Sequence, residues 1–189
     1  MNAVGIVLIV IVAIVVIALL WAVGAYNAFV RLRNLVQEAW RQIDVELTRR
    51  HDLIPNLVET VKGYAAHERG VFDEVAQARS IASAPASGPA EQAAHENQLT
   101  QALGKLFAVA EAYPVLRASE NFQQLQAELS NTEDRIAAGR RFYNANVRAL
   151  NTRVESFPSA LTAKLFGFKQ AEYFTADDPQ IRATPQVSF

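Results

Sequence analysis

The stretch AVGIVLIVIVAIVVIALLWAVGA, Ala3 to Ala25, decides how the rest of the chain is read. Its 23 residues make a helix of roughly 35 Å at about 1.5 Å per residue, enough to cross a hydrocarbon core of about 30 Å. Only Gly5 and Gly24 fall outside the hydrophobic set, and no charge precedes Arg31. Trp21 and Tyr26 sit near its C-terminal end, where amphipathic rings settle at headgroup level. A cleaved signal peptide is the competing reading, since Ala22-Val23-Gly24 resembles a small-x-small site. Against it, a basic leading region is missing and the apolar run exceeds the usual 7–15 residues. The expectation is an uncut anchor over residues 1–25, with Ala3, Trp21 and Ala25 marking the span.

The cations beyond the span set an orientation. Arg31, Arg33 and Arg41 follow within about 20 residues, whereas Met1-Asn2 offers only a terminal amine, so the N-terminus is expected outside and the remainder in the cytoplasm. The whole chain has 189 residues, 51% of them hydrophobic, with 18 Lys+Arg against 19 Asp+Glu and no cysteine. The cysteine count excludes disulfides, thiolate zinc sites and cysteine nucleophiles. Near-neutral charge without a concentrated basic face argues against nucleic acid as a partner.

Beyond the span the periodicity is helical. Phe29, Leu32, Val36, Trp40, Ile43 and Leu47 step by three or four, so a first helix leaves the bilayer without a break. Arg49-Arg50-His51-Asp52 interrupts the pattern, and Pro55 then fits the first turn of a second helix capped near Asp52. That helix carries Leu57, Val61, Tyr64, Phe72, Val75 and Ile81, and ends in SAPASGP, residues 83–89. A third helix spans about Ala90 to Tyr113, stopped or kinked at Pro114. The fourth runs from Phe122 to Phe157 before Pro158, with a narrow seam that implies antiparallel packing at about 20°. No segment alternates like a strand. The fold class is all-α: a transmembrane helix continuous with an up-down-up-down bundle over residues 26–174, then an extended or disordered tail, 175–189. One mismatch stands out, because the fourth helix would be about 60 Å long and the soluble part of the first only about 37 Å.

Candidate chemistry is sparse. His51, His67 and His95 are scattered, and His67-Glu68 lacks the second histidine of an HExxH face, so neither metal nor cofactor is expected. There is no nucleophile elbow and no glycine-rich phosphate loop. Two polar runs, RRHD around Arg50 and RRFYN from Arg140 to Asn144, interrupt apolar registers. Asn144 and Asn151 are candidates for polar positions that fix helix register, with surface snorkelling as the alternative. Leu161, Leu165, Phe166, Phe168, Tyr173 and Phe174 form an apolar set that either touches a headgroup layer, with Leu165, Phe166, Phe168 and Phe174 as the membrane-proximal contacts, or caps the bundle core. Val187-Ser188-Phe189 would also suit strand addition to a PDZ-like groove.

Two blocks of residues resemble a known family. YNAFVRLRNLVQEAWRQIDVELTRRHDLIPNLVETVKGYAAHERGVFDEVAQAR, Tyr26 to Arg79, is similar to the core signature of the LemA family of bacterial membrane proteins. EAYPVLRASENFQQLQAELSNTEDRIAAGRRFYNANVRALN, Glu111 to Asn151, followed by FPSALTAKLFGF and Tyr173-Phe174, supports it. The resemblance implies one N-terminal membrane helix, a helical bundle and an N-out, C-in topology in the bacterial inner membrane. It implies no enzymatic activity, cofactor or catalytic residue. The leading expectation is therefore a non-enzymatic scaffold in the lipid bilayer that self-associates as a homo-oligomer or recruits a protein partner on the cytoplasmic side. Membrane remodelling through oligomerisation and the Leu161 to Phe174 segment is the alternative, and an unrecognised hydrolase a third reading.

Overall fold

The sequence signals for helix outrun those for breaks, and the computed structural model, which describes residues 2–175, is helical almost throughout. Six helices follow one another among the described residues, with no strand: α1 (Ala3–Lys62), α2 (Arg69–Ala82), α3 (Pro89–Glu111), α4 (Pro114–Arg117), α5 (Glu120–Glu155) and α6 (Ser159–Phe166). The tail expected over 175–189, with its C-terminal motif, lies outside the described residues except for Thr175. The chain divides into two compact units, one holding residues up to Trp40 with Phe142–Ala171, the other Arg41–Arg141 with the described residues from Glu172 on.

The main correction concerns Arg49 to Pro55. The second helix expected from Pro55 does not exist as such, because α1 runs through Pro55 to Lys62 and the reversal comes at residues 63–68. A proline inside a helix leaves the carbonyl four residues earlier without its donor. Here that carbonyl belongs to His51, and the Arg79 Nε of α2 donates to it at 2.6 Å. The cost of the proline is met by a side chain from the neighbouring helix. The length mismatch disappears with it: from Tyr26 to Lys62 α1 covers about 55 Å, and the 36 residues of α5 about 54 Å.

In the second unit, residues 41–62 of α1 pack with α2, α3 and the first half of α5. Contacts run in opposite senses along each pair. His51 meets Arg79 and Ser83 while Lys62 lies over Phe72, and the Ala82 carbonyl accepts from Gln92 while Glu74 pairs with Lys105. Against α5, Ile43 approaches Gly139, Glu46 meets Arg135, and Arg50 meets Glu133. This is the up-down-up-down bundle, and its core is Ile54, Leu57, Val61, Val75, Leu99, Leu106, Leu116 and Leu129. Caps close its ends: Ser87 donates to Glu91 ahead of Pro89 at the first turn of α3, and the Ser119 Oγ accepts the Phe122 N–H at the start of α5.

In the first unit α1 and α5 again run antiparallel, since Trp40 meets Tyr143 and Phe29 lies under Arg153. The large apolar side chains from Ile6 to Val23 are all exposed, and burial begins at Ala25. Phe29, Val36, Tyr143, Val147 and Leu150 form the buried seam. Helix α6 ends on Gly167 in the left-handed conformation, φ 71°, which lets the chain turn back along α5.

Candidate functional site

Two charged residues and a histidine, Arg50, Glu96 and His51, are driven into the core of the second unit, where they contact one another. Arg50, 2% exposed, ion-pairs with Glu96, donates from Nη2 to the Glu96 carbonyl at 3.3 Å, and reaches Glu133 from Nη1 at 2.7 Å. His51 Nε2 donates to Glu96 Oε1 at 3.0 Å, and the Gln92 amide donates to the same oxygen at 2.7 Å. Burial pushes the Glu96 carboxyl up, the largest single influence. The His51 hydrogen bond and the Arg50 and His51 charges together outweigh it, so Glu96 ionises below its ordinary value of 4.5. Isolated in an apolar core, such a carboxylate would be very costly, and here three donors from α1 and α3 surround it.

The other ring nitrogen, His51 Nδ1, stands 3.2 Å from Ser83 Oγ. Ser83, His51 and Glu96 therefore have the connectivity of a nucleophile, base and orienting acid. Two further features belong to this arrangement. Glu96 is already the counter-ion of Arg50, and Ser83 is the C-cap of α2, whose terminal carbonyls disfavour a developing oxyanion. Beside the cluster lies a cleft of about 220 Å³ bordered by Asn97, Thr100, Glu133, Arg140 and Phe174.

The residues singled out from the sequence fall into different settings. Asn151 is half-buried on α5. Its amide pairs both ways with Ala171, Nδ2 donating to the carbonyl at 2.9 Å and Oδ1 accepting the N–H at 2.8 Å, so it fastens the segment returning after α6. Asn144 is half-buried on α5. Of the four apolar residues proposed for the headgroup layer, Phe174 is 3% exposed within the second unit, so it packs in the core and not against lipid. Phe168 is half-buried, stacked on Phe29 at 4.8 Å and edge-on to Tyr26 at 5.6 Å. Leu165 and Phe166 remain exposed, with Phe166 4.9 Å from Tyr26, the residue after the span. Glu96, the centre of the buried cluster, had no distinguishing signal in the sequence; Arg50 and His51 did, as polar residues breaking an apolar register.

With this geometry in view, the comparisons with known proteins carry weight. The LemA family model matches residues 39–189, most of the chain and the whole of the cluster. The chain belongs to the LemA family. The chain is 28% identical to magnetosome protein MamQ of Magnetospirillum gryphiswaldense, over 86% of this chain and 70% of that protein. It is 29% identical to magnetosome protein MamQ 2 of Paramagnetospirillum magneticum over the same shares, and 27% identical to protein LemA of Metamycoplasma hominis over 82% and 71%.

Proposed function

We propose that this LemA family protein is a non-enzymatic, bilayer-anchored helical scaffold, with the N-terminus outside and the bundle in the cytoplasm of a bacterium, where it self-associates or recruits a partner. The observation that carries the proposal is α1. One helix supplies an apolar segment whose large side chains from Ile6 to Val23 are all exposed and, further along, one wall of a packed four-helix unit. An exposed run of this size is unstable in water and at home in lipid. The buried charges favour a structural role, because Glu96 is the counter-ion of Arg50 and accepts from His51. Chemical crosslinking of the full chain in native membranes is expected to capture oligomers or a discrete partner. Monomer alone under all crosslinkers overturns the scaffold reading, and fluorophosphonate labelling at Ser83 overturns the non-enzymatic one. Protease shaving from each face tests the orientation.

A second reading, membrane remodelling, is favoured by α6. Phe157 (83% exposed), Leu161, Leu165 (77%) and Phe166 stand in solvent, and Phe166 touches Tyr26 beside the span. A short helix with that apolar face can wedge into one leaflet. Liposome tubulation abolished by Leu165→Asp with Phe166→Asp supports this reading. Tubulation unaffected by the pair, or absent from the wild type, removes it. Phe168 is unsuitable for the test, since its ring packs on Phe29.

A further inference from the structure

Cations in the first unit are placed differently from Arg50. A cleft of about 740 Å³ between α1 and α5 is bordered by Trp21, Arg31, Arg148, Arg153, Ser156 and Pro158, and no carboxylate lines it among the described residues. Arg31 and Arg148 are exposed. Arg153 is half-buried, its guanidinium 5.6 Å from the centre of the Phe29 ring, and its Nε is shut away from water with no hydrogen-bond partner. Three guanidiniums around one hollow repel one another unless an anion joins them.

We infer that this cleft seats the phosphate of an anionic phospholipid at the bilayer face where the span emerges. The inference rests on the proposed anchoring of Ala3–Ala25 in lipid. Two observations select a lipid over a free anion. Trp21, in the last turn of the span, forms one wall of the same cleft, so a ligand there meets an aromatic ring as well as cations. Arg31 lies about 9 Å beyond Ala25 along the helix, and its side chain reaches back to the interfacial layer, some 5–8 Å thick on each face. The planar guanidinium forks match phosphate oxygens in pairs, which a lone ammonium cannot do.

The test uses the full chain carrying Trp40→Phe, so that Trp21 alone fluoresces, reconstituted in phosphatidylcholine vesicles. Brominated phosphatidylglycerol or brominated phosphatidylcholine is added at equal mole fraction. Trp21 is expected to be quenched preferentially by the anionic lipid, with the preference falling about fivefold for each arginine removed and declining in salt. Arg31→Gln with Arg148→Gln alters only exposed side chains and suffices if Arg153→Gln disturbs folding. Arg135→Gln, exposed in the other unit, is expected to leave the preference intact. Equal quenching by both lipids, or a preference that survives in the double variant, overturns the inference. Loss of the preference on adding millimolar inorganic phosphate reassigns the cleft to a free anion and equally overturns it. If neither lipid quenches Trp21 and alkaline carbonate extracts the protein, the anchoring itself has failed, an outcome distinct from failure of the lipid seat.

Discussion

Arginine is used in opposite ways in the two units of this chain. In the second unit Arg50 is taken out of water and its charge is spent on Glu96 and Glu133, so that its removal or theirs is a folding event. In the first unit Arg33 and Arg153 lie over the rings of Phe168 and Phe29, and Arg31 and Arg148 stay exposed around the cleft. Charge neutralised internally fixes a packing arrangement, whereas charge left beside aromatic rings at the foot of an apolar span keeps its field for something outside the chain. The same side-chain type thus has its charge paired inside the fold in one place and, on the proposed lipid seat, would serve recognition in the other.

The sharpest way to break this contrast is Glu96→Ala. Removing the carboxylate leaves Arg50 and His51 buried without their counter-charge, and breaking a buried pair this way costs about 3–5 kcal/mol. Denaturant unfolding of the detergent-solubilised chain should show that loss, and a change below about 1 kcal/mol would mean the cluster is wetter than its burial implies. The pH dependence has a definite sign. Because the Glu96 carboxyl ionises below its ordinary value, its stabilisation is complete above about pH 4.5 and disappears as the pH falls through the lowered value. The variant should therefore show a flatter acid limb than the wild type.

Next in size is the arginine that serves the backbone. Arg79→Met orphans the His51 carbonyl left open by Pro55, at a cost of about 1–3 kcal/mol. With Pro55→Ala in place, the new N–H at residue 55 can donate to that carbonyl, so the penalty for Arg79→Met should shrink. A double-mutant cycle reads this coupling directly, and strict additivity would refute the compensation.

These two sites also show where the sequence is legible and where it is not. The apolar run from Ala3 to Ala25, the all-helical character and the end of α5 before Pro158 follow from local composition and periodicity, which a single chain displays openly. The Arg49 to Pro55 stretch misleads because charged residues and a proline in an apolar register are also the signature of a helix boundary. What distinguishes this stretch is its partners, Arg79, Glu96 and Glu133, which lie from 28 to 83 residues away and leave no trace in the local pattern. Glu96 itself reads as one more helical acid until the fold brings α1 and α3 together. Asn151 is legible only in part for a related reason: its place on the helix marks it as a polar residue in an apolar register, but the backbone it fastens lies on a segment 20 residues later.

In the first unit the effects should be smaller. Asn151→Leu deletes two hydrogen bonds to Ala171 and leaves that residue's N–H and carbonyl to be satisfied elsewhere, for a loss of about 1–2 kcal/mol. Amide exchange should rise first around Ala171. A gain in stability would show that the position merely fills space.

The smallest folding effect is expected at Leu165, and its smallness is the point. A leucine capping the core would cost about 2–5 kcal/mol on truncation, whereas one that is 77% exposed has almost no packing to lose and should shift stability by no more than about 0.5 kcal/mol. Leu165→Ser measured in detergent-solubilised protein therefore decides between the two uses of the α6 apolar face that the sequence leaves open. If the substitution is neutral for unfolding yet weakens partition of α6 into vesicles, followed by a fluorophore on an adjacent exposed position, the exposed leucine is held for lipid. If it destabilises the fold by more than about 1 kcal/mol, α6 is packed in solution, and the contrast between a self-satisfied unit and an outward-facing one fails at the residue where it should be clearest.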